Sequence, residues 1–138
     1  MYARSQSQSV NVYRQSAAHG GVAAADPHQL ITMLYDGALE RIRAAKGAMA
    51  VRDRALAAQT LQRAVDIVEE LRCSLRPQAD GQIARNLGDL YEYCARRLIS
   101  ASLRQSSEPL DEVAGLLREL RSAWVSIPPA TRTLRTGT

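Results

Sequence analysis

A helix start signal followed by an unusually wide apolar face is the feature that most constrains this chain. Asp26 can accept hydrogen bonds from free backbone N–H groups, Pro27 suits a first helical position, and Gln29 completes a capping-box spacing. The apolar face that follows is wider than the roughly 100° that a surface helix needs, so this helix requires packing partners on more than one side. Its main stripe is Leu30, Met33, Leu34, Ala38, Ile42, Ala45 and Met49, widened by Ile31, Tyr35 and Leu39.

Three further amphipathic helices follow along the chain. Asp53 is placed to cap the second helix, and Pro77 ends it before a loop at 78–81. Ser106 and Ser107 end the third helix and supply a cap for the fourth, whose first turn contains Pro109. The predicted helices cover about 27–50, 54–76 and 82–105, with the last running from the turn around Pro109 to Ile127.

Each of these helices carries one continuous apolar stripe. Short connections between amphipathic helices favour antiparallel neighbours, so the fold class is predicted to be all-α, an antiparallel up-down four-helix bundle over residues 25–127. Residues 1–24 are expected to be a flexible N-terminal arm and residues 128–138 a disordered tail. The same stripes leave open a homodimer in which helices are exchanged. The predicted core positions are Ala58, Leu61, Ala64, Val65, Ile67, Val68, Leu71 and Leu75, then Ile83, Leu87, Leu90, Tyr91, Cys94, Leu98 and Ala101, then Leu110, Val113, Leu117, Leu120, Trp124 and Ile127, with Tyr93, Ile99 and Leu103 off the third stripe.

The composition narrows the class of protein. The chain has 138 residues, enough for one core, and it lacks the run of about 18 apolar residues that would cross a membrane. We therefore expect a single cytoplasmic domain without direct membrane insertion. A net charge of +4 raises the question of an anionic partner, but the arginines alternate with acidic residues along the helices. That alternation favours a solvated helical face over a nucleic-acid interface.

Catalytic and metal-binding motifs are not found. Cys73 and Cys94 show no metal-ligand spacing, and in a helical hairpin their Cα atoms lie roughly 14 Å apart, beyond the reach of a disulfide, so we predict two reduced thiols. The histidines, His19 and His28, do not lie in the mid-helix positions that a di-iron or phosphotransfer bundle needs. We expect a protein-binding protein that is not an enzyme and has no cofactor.

Several short motifs, in order along nearly the whole chain, resemble the FliS family of flagellar export chaperones. The strongest are Met-Leu-Tyr-x-Gly in the first helix, Leu-Tyr-x-Tyr in the third and Arg-x-x-Trp in the fourth. Each is weak alone, but together they are a specific signal. The matching segments are 11–15, 26–39, 81–93, 97–99, 110–113 and 120–124.

This resemblance implies a function. Members of the family are helical bundles that bind the disordered C-terminal segment of flagellin in the cytoplasm and keep it from polymerising prematurely. The same resemblance implies delivery of flagellin to the flagellar type III export gate, the cytoplasmic domain of FlhA. Two alternatives from other classes stay open, namely a homo-oligomeric helical-bundle adaptor and a basic nucleic-acid-binding protein.

The width of the apolar stripes suggests which residues contact the partner. A chaperone for an unfolded segment needs apolar grooves between its helices, although ordinary core packing would give each residue the same pattern. In the arm, the resemblance implies a segment that folds onto the bundle, covering a groove or docking to the export gate. The candidate partner-binding residues are Val10, Tyr13, Ile31, Tyr35, Leu39, Ile42, Ile67, Leu71, Leu90, Tyr91 and Leu98.

Overall fold

The computed structural model describes residues 26–127, and this part of the chain is helical with no strand. The predicted all-helical fold class is confirmed for these residues. The arm at 1–24 and the tail at 128–138 lie outside them. The helices are α1 (Pro27–Ala50), α2 (Arg54–Cys73), α3 (Pro77–Asp80), α4 (Gln82–Arg104) and α5 (Glu108–Val125).

The first two helices begin where their capping residues predict. The Asp26 side chain accepts a hydrogen bond from the Gln29 backbone N–H at 2.8 Å. Asp53 accepts in the same way from the Leu56 N–H at 3.1 Å. Each bond satisfies one of the donors that a helix leaves unpaired at its N-terminus, which confirms both predicted caps. Ser107 occupies the cap position of α5 but makes no side-chain capping bond there.

The segment around Pro77 differs from the prediction. α2 ends at Cys73 rather than at Arg76, and the predicted loop contains the single-turn helix α3. Proline at a first helical position costs no hydrogen bond, so Pro77 starts α3, and residues 74–76 separate it from the end of α2. Gly81 then reverses the chain at φ 60°, a conformation that glycine adopts without strain.

Two predicted core positions are wrong. Ala58 is exposed, and its neighbour Ala57 is fully buried in the register 57, 61, 64, 68, 71 that alternates steps of four and three. The apolar pattern alone could not decide which of these two adjacent alanines faces the core. Ile83 is 63% exposed because it lies in the first turn of α4, where side chains point back toward the helix N-terminus and away from the packed helices.

Each long helix packs against two others. α1 lies against α2 and α5, and α4 lies against the same two helices from the other side. Among the described residues, no Cα of α1 comes within 8 Å of α4, and none of α2 comes within 8 Å of α5. The wide apolar face of α1 is thereby covered by two neighbours, as its width required. The largest fully buried side chains are Ile42, Leu61, Ile67, Leu71, Leu98, Leu110 and Leu117.

Polar contacts tie α1 to α5 along their whole length. At one end His28 meets Trp124, in the middle Asp36 meets Arg121, and at the other end Lys46 meets Asp111. The three contacts occur in opposite order along the two helices. They set the register between α1 and α5.

Several other charges form short-range pairs on the helix surfaces. Arg43 pairs with Glu40 and Arg72 pairs with Glu69, each at i,i+3 spacing. Such pairs contribute little stability. They give these arginines acidic partners within the chain, as the alternation of charges predicts, so a nucleic-acid partner is not needed to explain them. None of the helices in residues 26–127 combines the length and hydropathy needed to cross a membrane.

Candidate partner-binding surface

Six of the predicted partner-binding residues lie in the closed core. All are 3% exposed or less, so a partner cannot reach them while the helices stay in the positions described here. Their burial agrees with the ordinary-packing alternative for a wide apolar stripe. The six are Tyr35, Ile42, Ile67, Leu71, Tyr91 and Leu98.

Three other predicted residues are accessible in part. Ile31 and Leu39 pack against the core cluster from α1 but keep part of their surface exposed, and Leu90 on α4 has the same intermediate exposure. Val10 and Tyr13 lie outside the described residues. The predicted set therefore includes a buried group and a smaller group that a partner could contact directly.

A pair of buried tyrosine hydroxyls joins α1 to α4 across the core. Tyr35 Oη and Tyr91 Oη lie 2.5 Å apart, and each side chain is 3% exposed. In this hydrogen bond one hydroxyl donates and the other accepts, so each of the two buried hydroxyls has a polar partner within the core. This bond links helices whose backbones are too far apart for direct packing.

Burial changes the acid–base properties of this region. Desolvation raises the pKa of Tyr91, and the nearby Tyr35 raises it further. Desolvation also raises the pKa of Tyr35, although the hydrogen bond from Tyr91 opposes part of that change. The Cys94 thiol close by has its pKa raised to about 11 by burial, so it is a weak nucleophile at neutral pH. All three groups are neutral under ordinary conditions.

His28 and Trp124 form a clasp between the first turn of α1 and the last turn of α5. Their rings stack with centroids 4.5 Å apart and planes 9° from parallel. The Trp124 indole N–H donates to the His28 carbonyl oxygen at 2.9 Å, and His28 Nε2 donates to the Trp124 carbonyl oxygen at 2.7 Å. The sequence indicates only that His28 does not lie in a mid-helix position. No local pattern could connect it with a residue 96 positions away.

A second polar cluster ties α4 to α5. Glu112 accepts a hydrogen bond from the Tyr93 hydroxyl at 2.5 Å and another from Arg97 Nε at 2.8 Å. Both hydrogen bonds lower the pKa of Glu112, and the bond from Tyr93 has the larger effect. Tyr93 was predicted to lie off the apolar stripe, and its position toward α5 explains why.

Two large apolar side chains outside the candidate partner-binding set are exposed on α4. Ile99 and Leu103 lie one helical turn apart on the outer side of α4 and are 46% and 75% exposed. Scattered exposed apolar residues are normal on a protein surface, so exposure alone does not assign these a function. The other large exposed apolar residues in the described part of the chain are Val51, Leu56, Ile83 and Val125.

The described residues hold no arrangement suited to metal binding. Within 26–127 there is no group of three histidine, cysteine or acidic side chains that could ligate an ion. Cys73 and Cys94 are both free, as predicted from their spacing, with Cys73 exposed and Cys94 buried.

Comparison with known proteins gives a consistent result. The sequence profile of the family described as "Flagellar protein FliS" matches residues 9–131. The flagellar secretion chaperone FliS of Salmonella typhimurium is 36% identical over 121 residues, covering 87% of this chain and 90% of that protein. The flagellar secretion chaperone FliSB of Pseudomonas aeruginosa is 37% identical over 115 residues, covering 83% and 91%. FliS of Bacillus subtilis is 32% identical over 116 residues, covering 84% and 86%.

The tyrosine pair predicts non-additive mutations. Tyr91→Phe or Tyr35→Phe alone leaves one buried hydroxyl without its partner and should cost about 1–3 kcal/mol of unfolding free energy. The double variant removes both hydroxyls and should cost clearly less than the sum of the two single changes. Urea unfolding of the four proteins measures this coupling. Strict additivity would show that the two hydroxyls do not stabilise the fold as a pair.

The raised pKa values predict loss of stability in alkali. In the unfolded chain these phenols ionise near their ordinary pKa of 10.0, whereas the folded protein keeps them protonated. The unfolded state therefore binds fewer protons above that pH, and stability falls as the pH rises. The unfolding midpoint in urea, followed from neutral pH to about pH 11, should fall more steeply for the native sequence than for Tyr35→Phe/Tyr91→Phe. Equal slopes would contradict the assignment of these groups.

Proposed function

The chain belongs to the FliS family of flagellar proteins, and from that membership we propose that it is a cytoplasmic export chaperone for flagellin. The match of the family profile to residues 9–131 is the observation that carries this proposal. The relatives from Salmonella typhimurium and Pseudomonas aeruginosa are named flagellar secretion chaperones, and this chain aligns with about nine-tenths of each. The client we propose is the disordered C-terminal segment of flagellin.

We propose that the four long helices form an antiparallel up-down bundle. The ring of neighbours, in which α1 and α4 each lie between α2 and α5, supports this arrangement. The opposite order of the α1–α5 contacts supports it as well. A bundle of this kind presents long grooves between adjacent helices, which suit an extended or helical client better than a closed pocket does.

The proposed mechanism needs no cofactor and no catalysis. A disordered segment exposes apolar side chains that would otherwise pair with other flagellin molecules. Binding orders that segment on the chaperone and lowers the concentration of free flagellin by mass action. The loaded chaperone then carries its client to the export gate, for which we propose the cytoplasmic domain of FlhA.

The accessible members of the predicted set are the proposed first contacts. Ile31, Leu39 and Leu90 each combine partial exposure with a place on a stripe that continues into the core. The six buried members become available to a client only if the helices separate. For Val10 and Tyr13 we retain the proposal of an arm that covers a groove or contributes to docking at the export gate.

Calorimetric titration tests the proposed client. The full chain should bind flagellin one-to-one, should lose this binding when the flagellin C-terminal segment is deleted, and should show little dependence on salt. Binding of a DNA duplex with an affinity that falls steeply with salt would favour the nucleic-acid alternative. Absence of binding to either flagellin would contradict the chaperone proposal and leave the homo-oligomeric adaptor. A chain lacking residues 1–18 should change flagellin affinity with unchanged helicity if the arm takes part.

A matched pair of variants on α4 tests the contact surface. Leu90→Ser changes a partly buried residue on the predicted stripe, and Ile99→Ser changes an exposed residue outside it. Loss of one apolar contact should weaken binding by about ten-fold or more for the first variant and leave it unchanged for the second. The reverse result would move the client to the outer face of α4. Circular dichroism of both variants controls for folding.

A further inference from the structure

Detachment of α5 breaks its contacts with α1 and α4 but leaves the connections and contacts among the other long helices intact. α5 is the last helix in the described part of the chain and is joined to α4 by three residues only, Gln105 to Ser107. It lies in the groove between α1 and α4, and no Cα of it comes within 8 Å of α2. The contacts of α1 with α2 and of α2 with α4 do not involve it. Its departure would therefore leave α2 packed against both α1 and α4, with one open groove between α1 and α4.

The groove is matched to α5 in both apolar and charged features. Leu110, Val113 and Leu117 are each fully buried in it. Near the start of α5, Asp111 pairs with Lys46, and Glu112 pairs with Arg97. Near its end, Arg121 pairs with Asp36 at 2.5 Å. An occupant must carry apolar residues at this spacing with acids at its start and a base near its end, and α5 itself has that sequence.

The connection that holds α5 in place is under backbone strain. Gln105 ends α4 with φ 51° and ψ 48°, the left-handed conformation that non-glycine residues avoid. Glycine is the usual residue where a helix ends in this way. If the chain did not have to reverse at this point, Gln105 could return to an ordinary conformation. Strained short turns of this kind favour exchange of the segment that follows them.

We propose that two copies of this chain form a dimer by exchanging α5, each groove between α1 and α4 being filled by α5 of the other copy. The apolar contacts and all three charged pairs of each groove are re-formed in such a dimer, while the turn at Gln105 is relieved. Exchange requires α5 to detach first, so its rate is limited by local unfolding and its extent depends on concentration. The inference does not rest on the flagellin proposal.

Other helices are less suited to exchange. α1 is preceded by the capping bond at Asp26 and buries a longer apolar face against both α2 and α5. Detaching α1 would release eight buried residues, whereas detaching α5 would release five together with the partly buried Leu120 and Trp124. The turn between α1 and α2 contains a comparable left-handed residue, Arg52 at φ 60°. Arg52 therefore provides a control, because its backbone strain is similar to that of Gln105 but the adjacent helix α1 has more buried residues than α5.

Charge reversal gives a test specific to exchange. One full-length chain carries Asp36→Arg and Lys46→Asp in its groove, and the other carries Asp111→Lys and Arg121→Asp on its α5. Each chain alone, as a closed monomer or as its own dimer, brings like charges together at both places. A mixed dimer with exchanged α5 restores all four pairs. The substitutions leave the net charge of each chain unchanged, so general attraction between the two chains is not increased.

The readout is the population of mixed dimers. The two chains are incubated together at high concentration in mild urea, returned to buffer and separated by mass in native mass spectrometry. With equal amounts of the two chains, random pairing gives mixed dimers and like dimers in equal numbers, and the ratio of mixed to like dimers should rise above this by on the order of ten-fold. The chain with all four substitutions restores the pairs internally and, mixed with the native sequence, should show no such excess. Mixed dimers at or below the statistical proportion, or native chains that stay monomeric after the same treatment, would overturn the proposal.

A second pair of variants tests the turn. Gln105→Gly removes the strain and should lower the dimer fraction by about five-fold, whereas Gln105→Val places a β-branched residue at positive φ and should raise it. Arg52→Gly and Arg52→Val make the same changes at the α1–α2 turn and should alter unfolding stability without altering the dimer fraction. Light scattering coupled to size-exclusion chromatography measures the fractions. An equal response at both turns would contradict exchange through α5.

Discussion

The apolar face of α1 is broader than one neighbouring helix can cover, and the positions of the other long helices depend on this. α2 covers one side of α1 and α5 covers the other, while α4 closes the core opposite. Burial of apolar surface is the main stabilising contribution in a domain of this size, so a helix with such a face cannot remain at an edge with one neighbour. The ring of contacts follows from that requirement.

Polar interactions have a different role in this core. The hydrogen bond between Tyr35 and Tyr91 links α1 to α4 across the core, although the backbones of these two helices are not in contact. Single hydrogen bonds add little net stability, but a mispaired buried hydroxyl is costly. The pair therefore disfavours alternative alignments of α1 and α4 that apolar packing alone would tolerate. The His28–Trp124 clasp acts in the same way at the α1–α5 end.

Charged side chains line both borders of α5, the one with α1 and the one with α4. Exposed charged pairs border α5 against α1 and α4, and such pairs contribute little to stability. The client proposed for this chain would need apolar surface that it can reach on binding and that is covered at other times. Six of the candidate partner-binding residues are buried in the described structure. α5 covers the groove between α1 and α4.

The sequence by itself determined the elements of this protein and its family. The caps at Asp26 and Asp53 and the bounds of α1 follow from local chemistry, because a cap or a stripe involves residues within a turn or two of one another. Only the tertiary structure decided which apolar residues are closed in the core and which are open. Tyr35 and Leu39 lie on the same stripe, but one is fully enclosed and the other is not. Burial of a side chain depends on neighbours distant in sequence, as does the clasp between His28 and Trp124, and periodicity carries no information about them.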